Sequence, residues 1–205
     1  MPRCSSSRKK SAAKPYRAST GAADPCSITH GITLRGAQLS WAIVNGKKRV
    51  ENRHFRIQPG WYAVHTGAKT SCHHSQIPLI ESVEGMPSEA DLPHMAIVGA
   101  VKVTHNLTLS QSKPTEPWAF GPVVNVLGAV CRLERPVPHR GALSVWRIEQ
   151  AALESVREQL RKASVLHNDT SHLPPAGDAP KPFPHFRSKK TAHGESAPSA
   201  VPTYY

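Results

Sequence analysis

Apolar positions are concentrated between residues 28 and 165 and thin out on either side. Within that span their spacing changes period several times, and each change marks an element. Ile28 to Leu34 is a short β-like segment. Ala37, Trp41 and Val44 recur at near-helical spacing and predict a helix over Ala37–Val44, stopped by Asn45-Gly46. Val50 to Phe55 alternates as a strand does. Pro59-Gly60 signals a turn that opens a strand over Trp61–His65. Residues 67–94 are mixed, with a His-rich loop, a short helix around Ile77–Val83 and a Gly-Met-Pro break. Met95 to His105 has the strongest strand character, with Gly99 where a bulge could sit. Val123 to Leu133 is a second strong strand, and Leu143 to Ile148 a last short one after the Pro136–Gly141 turn region. Glu149 to Ala163 is an amphipathic helix whose stripe is Ile148, Ala152, Val156, Leu160 and Ala163, with Glu158 one turn before Lys162.

Five or six short strands with turn signals and few helices predict a mainly β (α+β) fold, a small β-barrel with peripheral helices. Residues 1–27 lack large apolar groups, cannot offset the entropy of ordering, and are expected to be a disordered basic arm. Residues 28–150 form the domain and residues 151–165 a C-terminal amphipathic helix. Residues 166–205 turn to Pro, Ser, Ala and His and are expected to be a disordered Pro-rich tail. No internal repeat is visible.

Charge sharpens this division. The chain carries 26 Lys and Arg against 14 Asp and Glu, a net +12, which favours nucleic acid, anionic surfaces or acidic proteins as partners. Residues 1–23 hold Arg3, Arg8, Lys9, Lys10, Lys14 and Arg17 with no acid. That composition fits an organelle transit peptide, and equally a nuclear or untargeted arm, so an intracellular site is expected with the compartment open. Cys4, Cys26, Cys72 and Cys131 match no zinc spacing, so free thiols are expected. Cys72-His73-His74 reads as an ordinary loop, and neither metal nor cofactor is implied. No apolar run is long enough for a membrane span. Nothing in the pattern sets an oligomeric state.

Candidate chemistry sits in Gly46-Lys47-Lys48-Arg49-Val50-Glu51-Asn52-Arg53, a charged stretch between two apolar segments. In a strand Glu51 and Arg53 share a face with Arg49, while Lys48 has the other parity but follows a turn and can reach the same hollow. Lys48 suits a phosphate or carbonyl oxygen, Glu51 can accept from an exocyclic amine or act as a base, and Arg53 offers a planar fork or holds Glu51 in place. Trp41, Trp61, Tyr62 and Trp118 could stack a base. His65 and Thr66 end the following strand and are expected beside the site. The plainer reading of Glu51 and Arg53 is a surface ion pair. No Gly-x-Ser-x-Gly, P-loop or dinucleotide turn occurs.

Gly46, Lys48, Glu51 and Arg53 match the Gly-x-Lys-x-x-Glu-x-Arg signature of the ASCH family, which this chain resembles over roughly residues 28–150. Flanking segments fit the same outline: Tyr62-Ala63-Val64-His65, Ile97-Val98-Gly99-Ala100-Val101, Trp118-Ala119-Phe120-Gly121-Pro122 and Pro136 through Trp146. The resemblance implies a PUA-like β-barrel that handles RNA or modified nucleosides, with Gly46, Lys48, Glu51 and Arg53 lining the pocket. Some bacterial members hydrolyse acylated cytidines with a Lys, a nearby Thr and a Glu from elsewhere; here Glu51 stands where that Thr would, so the hydroxyl is missing. The resemblance therefore implies RNA or modified-nucleoside binding through a Gly46/Lys48/Glu51/Arg53 pocket, to which the residue reading adds His65, Thr66 and Trp118 as further ligand-binding candidates. Two alternatives stay open. One is a hydrolase acting on RNA or N-acylated cytidine, with Lys48 and Glu51 as the acid–base pair. The other is a non-catalytic protein-interaction module whose Pro-rich tail binds partners.

Overall fold

The computed structural model describes residues 24–69 and 73–177. Its elements are β1 (His30–Leu34), α1 (Ala37–Val44), β2 (Val50–Arg53), β3 (Gly60–Thr66), α2 (Ile77–Glu81), β4 (Ala96–Thr108), α3 (Leu109–Ser112), β5 (Val123–Pro138), β6 (Val145–Arg147), α4 (Gln150–Leu160) and β7 (Leu166–His167). The strands make one mixed seven-stranded sheet in the order β2-β5-β4-β3-β1-β6, with β7 added on β5. β1 and β3 run parallel and the other pairs antiparallel.

Two long strands dominate. β4 and β5 are rich in Val, Ile and Leu, which fit a pleated surface packed on both sides. Their pairing shifts register between Ile97 and Gly99 and twice more between Lys102 and His105, and such bulges bend a long pair. α4 covers one face, burying Leu153, Val156 and Leu160 against Ala63, Ala100, Cys131 and Trp146. α1 covers the other, placing Ile43 and Val44 against Val64, Val98, Val101 and Val130. The approach at Val44 is close because position 99 is glycine: a Cβ there would lie 2.6 Å from Val44 Cγ1 and 2.5 Å from the Cys131 carbonyl oxygen. A third cluster joins Leu39, Val50, Leu107, Trp118, Val124 and Leu173 at the β2 end.

The expected barrel is not closed. β2 has four residues and β6 three, and no backbone pairing joins β2 to β1 or β6 among the described residues. Across that gap Arg53 Nη2 on β2 donates to the Thr33 carbonyl on β1 at 2.8 Å. That carbonyl lies just past Ile32, where the β1–β6 pairing ends. One side chain thus bridges the gap that a ladder would close.

Several boundaries differ from the sequence reading. β5 runs on to Pro138 because its end pairs with Ala96 and Ile97, so the expected turn begins later. α3 was not foreseen; it is a single turn held by a reciprocal cap between Thr108 and Gln111. α4 is shorter than expected and packs into the same core as the domain rather than beside it. The expected tail begins too early. Leu166–His167 pairs with β5, Asn168 Nδ2 donates to the Leu127 carbonyl at 2.8 Å, and Leu173 is buried. At the other end, Pro25–Ser27 forms a 3-10 turn capped by Asp24, and Ile28 is fully buried. The rest of the arm and tail, for which disorder is expected, lies outside the described residues, as do Cys4 and Cys72. Among the described residues, Cys26 and Cys131 are free thiols. No helix there is long and apolar enough to cross a membrane.

Candidate nucleic-acid interface

The charged stretch begins where α1 ends. Lys47 and Lys48 both donate their backbone N–H to the Ala42 carbonyl, at 2.8 and 3.0 Å, which fixes the chain's exit from the helix. Gly46 takes φ +69° there, a conformation that L side chains rarely adopt.

From this anchor alternate side chains part company. Lys48 turns inward and is fully buried. Its ammonium donates to Glu51 Oε2 and to the Val50 carbonyl, both at 2.6 Å. Arg53 Nε lies 3.0 Å from Glu51 Oε1 and forms an ion pair with it. Burial pushes the Glu51 carboxyl up, but the Lys48 and Arg53 cations together pull it further the other way, so it stays ionised below its ordinary range. Lys48, Glu51 and Arg53 therefore do converge. The Lys48 ammonium is spent on Glu51 Oε2 and the Val50 carbonyl, Arg53 Nη2 is spent on the Thr33 carbonyl, and neither of the two clefts described below is lined by these residues.

Lys47 and Arg49 flank Lys48 and turn outward, although in a regular strand they would share the face of Glu51 and Arg53. They border an open cleft of about 290 Å³ with Thr115, Glu116, Pro117, Trp118 and His172. Arg49 Nη1 donates to the Asp169 carbonyl at 2.8 Å, one of five N–H donors in its fork. Arg49 thus does not join Glu51 and Arg53, as strand alternation alone suggested. Glu116 is buried, accepts from the Trp118 backbone N–H at 3.1 Å, and has His172 Nε2 at 3.2 Å. Trp118 is mostly buried and contributes its margin to the wall.

The other expected site residues go elsewhere. His65 lies on the α4 face, fully buried, with Nε2 2.8 Å from the His139 carbonyl. A carbonyl only accepts, so Nε2 carries the proton. The Trp146 ring meets His65 edge-on at 5.6 Å and stacks on His139 at 4.9 Å. Burial holds the His65 imidazole below its usual pKa, so the ring is neutral. Thr66, one residue on, faces the opposite side of the sheet and lines a second cleft beside α1. Trp41 borders that second cleft as well.

Sequence reasoning missed Lys47, Arg49, Thr115 and His172 as neighbours. The first two were legible only as a pair, since alternation puts them on one face but adds Glu51 and Arg53 to it. His172 was not, because it reaches the cleft only through the fold-back after β7. It also missed Asn125, which is buried and braces β2: Nδ2 donates to the Glu51 carbonyl at 2.9 Å, and Oδ1 accepts from the Ile57 N–H and Asn106 Nδ2, both at 2.8 Å. Among the described residues, no group of three or more His, Cys, Asp or Glu could hold a metal ion.

No family model matches the chain, and neither does any curated protein. Among solved structures it is similar to the crystal structure of ASCH from Zymomonas mobilis, at 13% sequence identity and a TM-score of 0.42. The match covers 66% of this chain and 95% of that one. At that score the likeness carries no argument about the site, which rests on the geometry above.

Proposed function

We propose that this chain binds RNA without transforming it, and that RNA docks along the Lys47 and Arg49 edge of the cleft they border with Thr115, Glu116, Pro117, Trp118 and His172, where His172 lies against the Glu116 carboxylate. The observation that carries this reading is the outward pairing of Lys47 and Arg49 on one edge of a cleft with an aromatic wall. Two cations one strand-repeat apart suit successive phosphates, and the margin of Trp118 with Pro117 gives a base an apolar surface. A net charge of +12 adds salt-dependent, sequence-independent attraction.

Lys48, Glu51 and Arg53 act here as positioning residues. By clamping Val50 and reaching across to Thr33 they fix the edge that presents Arg49. Their burial favours binding over hydrolysis, because a substrate would have to displace the ion pair to use either Lys48 or Glu51.

The test is a titration of the full-length protein with single-stranded RNA at several salt concentrations, followed by fluorescence anisotropy. Lys47→Ala/Arg49→Ala should weaken binding to all sequences alike and flatten the log–log salt slope by about 1.4, roughly 0.7 for each phosphate that is no longer neutralised. Unchanged affinity and slope in that variant would remove the cleft from RNA binding.

A further inference from the structure

A different cleft lies on the other side of α1. Ala37, Ser40, Trp41 and Val44 occur at i, i+3, i+4 and i+7, so they form one stripe along the helix. That stripe faces the end of β3 at Thr66, the start of β4 at Val98, the segment Arg132–Pro136 of β5 and the loop at Leu92-Pro93. Together they border a half-open cleft of about 90 Å³, smaller than most small-molecule sites, so that a ligand seated there would extend past its mouth. The lining is mostly aliphatic and includes the half-buried Trp41.

The floor holds two polar side chains that the fold does not account for. Ser40 and Thr66 are both fully buried, and neither hydroxyl has a hydrogen-bond partner. A buried hydroxyl without a partner is costly, so side chains of this kind are normally paired with protein, water or a ligand. Both of them line one cleft, where a ligand can supply the missing partner. At the rim Arg132 and Glu134 are exposed, and Arg132 Nη1 is 3.3 Å from Asn45 Oδ1.

The geometry points to a binding site for a small aryl carboxamide: a planar ring against Trp41 and the aliphatic walls, with the amide head between Ser40 and Thr66. Each hydroxyl both donates and accepts, so together they can donate to the amide oxygen and accept from the amide N–H. Neither side chain belongs to the RNA cleft, so this site stands independently of the RNA reading.

The test uses benzamide as probe and ethylbenzene as its counterpart without the polar head, each titrated into the full-length protein by calorimetry or NMR. Benzamide should bind and ethylbenzene should bind more weakly. Ser40→Ala/Thr66→Val should lose about tenfold or more in benzamide affinity, with little change for ethylbenzene. The same variant should melt no lower than the wild type, because it removes two unpaired buried hydroxyls while nearly preserving shape. Absence of benzamide binding at about 10 mM, where a site with a Kd of about 1 mM would be mostly filled, overturns the assignment. So does a variant that binds benzamide as tightly as the wild type, or equal affinity for the two probes.

Discussion

At the scale of single residues, the decisive fact is a lysine with no exposed surface. A buried ammonium is tolerable only because Glu51 and the Val50 carbonyl replace its water, and Glu51 in turn is ionised only because Lys48 and Arg53 flank it. Breaking such a pair from one side strands a charge. Glu51→Gln is therefore expected to cost about 3–5 kcal/mol in urea denaturation. Lys48→Met/Glu51→Gln should cost clearly less than the sum of the two single changes, since the second removes the charge that the first stranded. Strict additivity would mean that the two groups do not depend on each other. This also explains why alternation alone misjudged the motif: it grouped Arg49 with Glu51 and Arg53, whereas the turn after Gly46 sends Lys48 inward to that pair and leaves Arg49 to Asp169.

At the scale of elements, the segment after α4 matters more than its composition suggests. Composition marks residues from 166 onward as tail, and local propensity there is indeed poor. Long-range contacts outweigh it: two residues pair with β5, Asn168 bonds the Leu127 carbonyl, and Leu173 enters the cluster with Leu39, Trp118 and Val124. The fold-back also sits against the turn at Gly46, where a Cβ would lie 2.8 Å from Leu166 Cδ2. Leu173→Ala should destabilise the protein by about 2–5 kcal/mol, as for other buried leucines, when read from denaturant midpoints at constant slope. A change within a few tenths of a kcal/mol, the range typical of a surface position, would return this segment to the tail.

At the scale of the molecule, stability should depend on pH through groups buried on both sides of the sheet. His65 has its pKa lowered from the ordinary 6.5, so the unfolded chain takes up that proton before the folded one does. Glu51 has its pKa lowered from the ordinary 4.5, with the same ordering. Both contributions are complete above those ordinary values and are lost as pH falls below them. The urea midpoint should thus drop in two stages, one below about pH 6.5 and one below about pH 4.5. His65→Gln should flatten the first stage and leave the second; a first stage of undiminished size in that variant would acquit His65. Hydrophobic periodicity was enough to place the helix over Ala37–Val44, the central strands and the amphipathic helix after Ile148, because these follow from contacts a few residues apart. It was enough, too, to bring Lys48, Glu51 and Arg53 under suspicion as a group. Whether the sheet closes, which side of the motif meets solvent, and that Thr66 and His65 serve opposite faces all depend on partners far along the chain, such as Thr33, Asp169, His139 and His172. Such encounters are set by packing of the whole chain, and no local pattern of residues encodes them.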